Sequence, residues 1–127
     1  MKSPFNIILI ITLVSPFLFG CKKDANFGKV KLVFSTTLSN PIEFEISYRN
    51  EFGITQTEYV TTTSWSKTLD YSKMENFAKL SVYKINIMEN MTGTLQIFKD
   101  GVKVKEVQGQ ATQANSYISE YITYQWQ

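Results

Sequence analysis

Histidine is absent from the 127 residues, and cysteine occurs once, at Cys21. Without imidazole there is no Ser-His-Asp or Cys-His nucleophilic pair and no side chain that ordinarily titrates near neutrality. The same shortages exclude Cys/His zinc sites and any disulfide within the chain. Charge of either sign is modest: 13 basic residues against 11 acidic ones leave a net charge of +2. No basic stripe is present, so no nucleic-acid surface is expected. The length suits one domain, with no internal repeat. A hydrophobic content of 43% and a charged content of 19% indicate a globular chain rather than a disordered one.

The first long apolar run is also the last. Met1-Lys2 gives a basic start, Phe5 to Phe19 is mostly apolar, and Leu18-Phe19-Gly20-Cys21 closes the run. A bilayer-spanning helix needs about 20 apolar residues. Here Asn6, Thr12, Ser15 and Pro16 interrupt the run and Lys22-Lys23 ends it, which is the pattern of a secretory signal. Leu-x-Gly-Cys in this place resembles the bacterial lipobox, with Phe19 at a position where Bacteroidota-type lipoproteins are looser in the residue they accept. The resemblance implies cleavage before Cys21 and acyl chains on its sulfur and new amine; the alternative is a buried structural cysteine. Each acyl methylene contributes about 0.8 kcal/mol, so two or three chains anchor a small domain durably. The expected organisation is a signal peptide over 1–20, a lipidated cysteine and tether over 21–28, and a folded domain over 29–127. By the same resemblance, Lys22 after the cysteine implies the outer membrane, and Asp24 alone in place of an acidic cluster implies the periplasmic face; the cell surface is the alternative.

From Lys29 onward the period is two, that of half-buried strands. Val30, Leu32, Phe34 and Leu38 alternate with Lys29, Lys31 and Ser35. After Pro41, the residues Ile42, Phe44, Ile46 and Tyr48 share one face and Glu43, Glu45, Ser47 and Arg49 the other. Asn50–Gly53 reads as a turn into Ile54–Val60, and the Thr/Ser run Thr61–Ser64 leads to a strand at Trp65–Leu69. Tyr71–Asn76 has room for one helical turn. Ala78–Ile87 is the next strand, Asn90–Gly93 a turn, and Thr94–Lys99 and Val102–Val107 a hairpin joined by Asp100-Gly101, a type I′ signature. Gln108–Ser116 reads as a loop and Tyr117–Trp126 as the last strand. Seven or eight strands with turns every 8–12 residues predict an all-β, single antiparallel immunoglobulin-like β-sandwich.

Tyr48-x-Asn50-x-x-Gly53, Trp65-Ser66-Lys67 and Asp100-Gly101-x-x-Val104 fall in an order that resembles the MmpS-type accessory proteins. The similarity spans about Ile42 to Val107. It implies an anchored immunoglobulin-like sandwich that accompanies a large envelope exporter. That family uses a transmembrane helix where this chain has a lipobox.

Chemistry-bearing residues are sparse. Glu43 and Glu45 lie on one strand face, as either a hydrolytic pair or a solvated sheet surface. Asp24, Asp70 and Asp100 are scattered and form no calcium loop. Asn90-Met91-Thr92 matches a glycosylation triplet by chance. Lys99, Lys103 and Lys105 cluster at the last hairpin, to meet anionic lipid or to guard an edge strand. Trp65 is expected in the core. Tyr117, Tyr121, Tyr124 and Trp126 crowd the final strand, Tyr124 and Trp126 on the face of Ile118 and Ile122, Tyr117 and Tyr121 on the other. They are the candidate face for a protein partner or a glycan, unless the strand is central, with only hydroxyls reaching water. The expectation is therefore a non-enzymatic, lipid-anchored envelope protein that binds or scaffolds a partner. It needs no cofactor or metal and touches the membrane through Cys21. The alternative is a glycan- or peptidoglycan-binding module.

Overall fold

The computed structural model describes residues 28–71 and 76–127. The segment expected as a signal peptide, Cys21, and most of the helical turn expected at Tyr71–Asn76 lie outside these residues. Eight strands follow in order: β1 (Lys29–Thr36), β2 (Ile42–Arg49), β3 (Thr55–Thr62), β4 (Ser64–Asp70), β5 (Phe77–Lys84), β6 (Met91–Lys99), β7 (Val102–Ala111) and β8 (Ile118–Gln125). They form two four-stranded antiparallel sheets, β4-β1-β6-β7 and β3-β2-β5-β8, as a β-sandwich. No helix among the described residues is long and apolar enough to cross a membrane.

Alternation places the core. Val30, Leu32 and Phe34 of β1 face Phe44, Ile46 and Tyr48 of β2, and Leu80, Val82, Leu95, Ile97, Ile118 and Ile122 complete the filling. Phe34 and Phe44 meet edge to face, 4.8 Å between ring centroids, a geometry worth about 0.5–1.5 kcal/mol beyond burial. Trp65 packs on this core while remaining half-buried.

Asp100 and Gly101 take φ of 50° and 82°, as their hairpin requires. Asp100 also binds the neighbouring strand: its carboxylate accepts the Lys29 amide at 3.2 Å and the Lys99 ammonium at 2.9 Å.

Several expected boundaries move. β1 ends at Thr36, and Leu38 packs on the core from the following loop. β3 extends through Thr62, so Thr63 alone turns the corner into β4. β5 stops at Lys84, before Asn86 at φ 57°. β6 begins at Met91, so Gly93 is a buried strand residue and not part of a turn. Gln108–Ala111 continue β7 rather than opening a loop, with Gln108 and Gln110 exposed and Gly109 and Ala111 buried. The pairing slips by one residue at Val104, between Ile97↔Lys105 and Phe98↔Lys103. This bulge shifts the inward parity from Val104 to Val107, Gly109 and Ala111.

The small residues at 93, 109 and 111 let β8 come close to β6 and β7 on one side of the sandwich. The opposite side, between β3 and β4, is joined by polar side chains.

Candidate surface and polar latch

The outer face of the β3-β2-β5-β8 sheet carries exposed aromatic rings in a polar field. Register aligns Tyr59, Glu45, Tyr83 and Ser119 in one cross-strand row, and Thr57, Ser47, Ser81 and Tyr121 in the next. Tyr59 is 67% exposed, Tyr83 45% and Tyr121 66%. With neighbouring strands about 4.8 Å apart, Tyr59 and Tyr83 stand roughly two strand spacings from each other. The hydroxyls between the rings are ordered: Ser47 Oγ and Thr57 Oγ1 are 2.8 Å apart, and Ser81 Oγ donates to the Ser47 carbonyl at 3.4 Å. Lys79, Ser81, Tyr83, Ser119 and Tyr121 surround a shallow hollow of about 310 Å³, at the low end for an enclosed small-molecule site. A ligand here lies on the surface. At one end of the sheet, the Arg49 guanidinium sits 5.6 Å from the Phe77 ring centre.

The four aromatics of the last strand separate. β8 is an edge strand, not a central one. Tyr117, just before it, and Tyr121 are exposed. Tyr124 and Trp126 turn inward against the core, their rings stacked at 6.2 Å. Trp126 also meets Tyr71 edge to face at 5.3 Å, and Lys99 Nζ lies 5.8 Å from its ring centre. Tyr59 and Tyr83, which complete the exposed set, lie on different strands from Tyr121. A single-strand pattern cannot bring them together.

Glu43 and Glu45 project side by side from β2 on this same face. A hydrolytic pair has to flank a bond from two sides, which two outward carboxylates of one strand do not do. Among the described residues, no group of three His, Cys, Asp or Glu is placed to hold a metal ion. Lys103 and Lys105 lie on β7, an edge strand, where Lys103 and Gln96 both donate to Glu106, at 2.9 and 2.7 Å. These hydrogen bonds, that from Gln96 first, hold the Glu106 carboxyl below its usual range.

Glu58, on β3, forms the latch across the β3–β4 side. Its carboxylate accepts from Tyr48 Oη at 2.9 Å, from Trp65 Nε1 at 3.2 Å and from Lys67 Nζ at 3.5 Å. Lys67 Nζ also lies 5.5 Å from the Tyr48 ring centre, and the Tyr48 and Trp65 rings are 5.6 Å apart. Burial pushes the Glu58 carboxyl up, but the bonds from Tyr48 and Trp65 and the Lys67 charge outweigh it, so the net shift is downward. Burial and the bond to Glu58 raise the Tyr48 hydroxyl, and the Tyr48 oxygen, then Glu58, raises the Lys67 ammonium. In the sequence, Glu58 is marked only as a carboxylate on the inward parity of a Thr-rich strand. That pattern fits an edge strand at a sandwich rim.

No family model matches the sequence, and no curated protein is detectably similar to it.

Proposed function

We propose that the chain is a non-enzymatic, lipid-anchored envelope protein whose outer β3-β2-β5-β8 face binds a glycan strand of the cell envelope. The observation that carries this reading is the placement of Tyr59, Tyr83 and Tyr121, three exposed rings from three strands on one face. A tyrosine presents an apolar ring for the C–H face of a pyranose and a hydroxyl for its edge, with little side-chain entropy to lose. The Ser, Thr and Glu side chains between the rings supply donors and acceptors for sugar hydroxyls. The anchor at Cys21 belongs to this reading through the lipobox resemblance, and with it a periplasmic position on the outer membrane. The test is co-sedimentation of the purified protein with insoluble peptidoglycan sacculi. Binding competed by soluble glycan fragments supports the reading; a protein that stays in the supernatant contradicts it.

A second reading, accessory to an envelope protein complex, has its own supporting observation. Leu38, Ile42, Ile87 and Met88 line a hollow of about 210 Å³ at the end of the sandwich opposite Gly28, and Met88 is 86% exposed. Crosslinking in intact cells distinguishes the two: this reading expects a protein adduct at Met88, and the glycan reading expects none.

A further inference from the structure

The chain enters the sandwich at Gly28, and that end of the fold carries apolar side chains the core does not use. Phe52 and Ile54, on the β2–β3 turn, are 65% and 57% exposed, and Val102, at the β6–β7 tip, is 65% exposed. Both tips lie at the Gly28 end. The Lys29 carbonyl accepts the Asp100 amide, Lys29 lies opposite Asp70 in the β1–β4 ladder, and the Tyr71 hydroxyl, next in the chain, donates to the Arg49 carbonyl just before the β2–β3 turn. The tips belong to different sheets and to opposite sides, one by the β3–β4 rim and the other by the β7–β8 rim. The β2–β3 tip is preformed, because Asn50 Oδ1 accepts the amides of both Phe52 and Ile54 at 3.0 Å.

Behind the Asp100-Gly101 turn, Lys29, Lys31, Thr68, Phe98 and Gly101 line a hollow of about 320 Å³. No carboxylate lines it, and the described ion pairs engage Lys67, Lys99 and Lys103 rather than Lys29 or Lys31.

We propose that this end is a membrane-docking surface: Phe52, Ile54 and Val102 enter the interfacial layer of a phospholipid bilayer, and Lys29 and Lys31 receive an anionic headgroup beside Phe98. The position of the chain outside the described fold identifies the occupant. Cys21 lies seven residues before Gly28, so an anchor there holds this end within about 25 Å of the lipid. Apolar tips flanked by lysines match the layered polarity of that boundary. This inference rests on the anchor reading of Cys21 but not on the glycan face, which lies on the side of the sandwich.

The test uses the full lipidated protein in phosphatidylcholine vesicles, with and without phosphatidylglycerol, whose acyl chains carry bromine as a quencher. Phe52→Trp, Val102→Trp and Met88→Trp each add one indole, read as the difference from the wild-type emission of Trp65 and Trp126. The expected result is strong quenching at positions 52 and 102 and none at 88. A Lys29→Ser/Lys31→Ser background lowers that quenching several-fold only where phosphatidylglycerol is present. Vesicle-bound protein with unquenched indoles at 52 and 102, or equal quenching at 88, overturns the docking surface alone. Failure of the protein to float with the vesicles overturns anchor and docking together.

Discussion

Gly93 of β6 lies so close to Ile118 of β8, across the two sheets, that a Cβ on the glycine would overlap the isoleucine Cδ1 and press on Phe34 at 3.3 Å. Ile118 and Phe34 are fully buried, so neither can swing into solvent to relieve the contact. Gly93→Ala is therefore expected to cost about 1–3 kcal/mol by overpacking, read as a lower urea midpoint at unchanged slope. Gly109 makes the matching approach to Glu120, but that side chain is half-buried and flexible and can swing outward. Gly109→Ala should shift the midpoint clearly less. Equal costs at the two positions would contradict this account of why β8 sits so near.

The Glu58 latch predicts a pH dependence. Its carboxyl is lowered in the folded protein, so its contribution is present above the ordinary value of 4.5. That contribution is lost as the pH falls through the lower folded value. Wild type should exceed Glu58→Gln in stability at neutral pH, and the gap should close on acidification below 4.5. Denaturation series of both proteins between neutral and acid pH check this; a gap that stays constant would remove the carboxylate's charge from the explanation.

Tyr121 in β8 and Trp126 just past its end are five residues apart, yet their substitutions should separate. Trp126→Ala removes a ring packed on Tyr71 and Tyr124 and is expected to cost about 2 kcal/mol. Tyr121→Ala removes an exposed ring and should stay within about 0.5 kcal/mol of wild type. Thermal unfolding of the two variants side by side is sufficient to check this.

The sandwich was legible because β1, β2 and β5 each bury one face and wet the other, a pattern that period-two reading detects directly. Asp100-Gly101 was legible for a local reason, two consecutive positive φ values. The continuation of β7 through Gln108–Ala111 was not, because Gly109 is chosen by its approach to Glu120 on another sheet, which no local pattern records. The exposed face was half legible. Tyr121 could be read from β8, whereas Tyr59 and Tyr83 join it only through the pairing of β3, β2, β5 and β8. Trp126 misled for the converse reason: its partner Tyr71 is far away in sequence.

The proposed anchoring through Cys21 makes a cellular prediction. Cys21→Ala should release the protein from the membrane fraction, and the wild-type domain should resist added protease until the outer membrane is permeabilised. The purified domain must be digested in parallel to exclude intrinsic resistance. Digestion on intact cells would place the domain outside, and unchanged membrane retention of Cys21→Ala would contradict the anchor.

The most direct test of the central claim is the affinity for peptidoglycan sacculi of wild type against Tyr59→Ala, Tyr83→Ala and Tyr121→Ala, singly and together. All four variants should retain the wild-type unfolding midpoint. Each single change should weaken binding roughly tenfold, the scale of an aromatic contact at a recognition surface, and the triple variant should not sediment with the glycan. Sedimentation of the triple variant at wild-type affinity would contradict the assignment of this face.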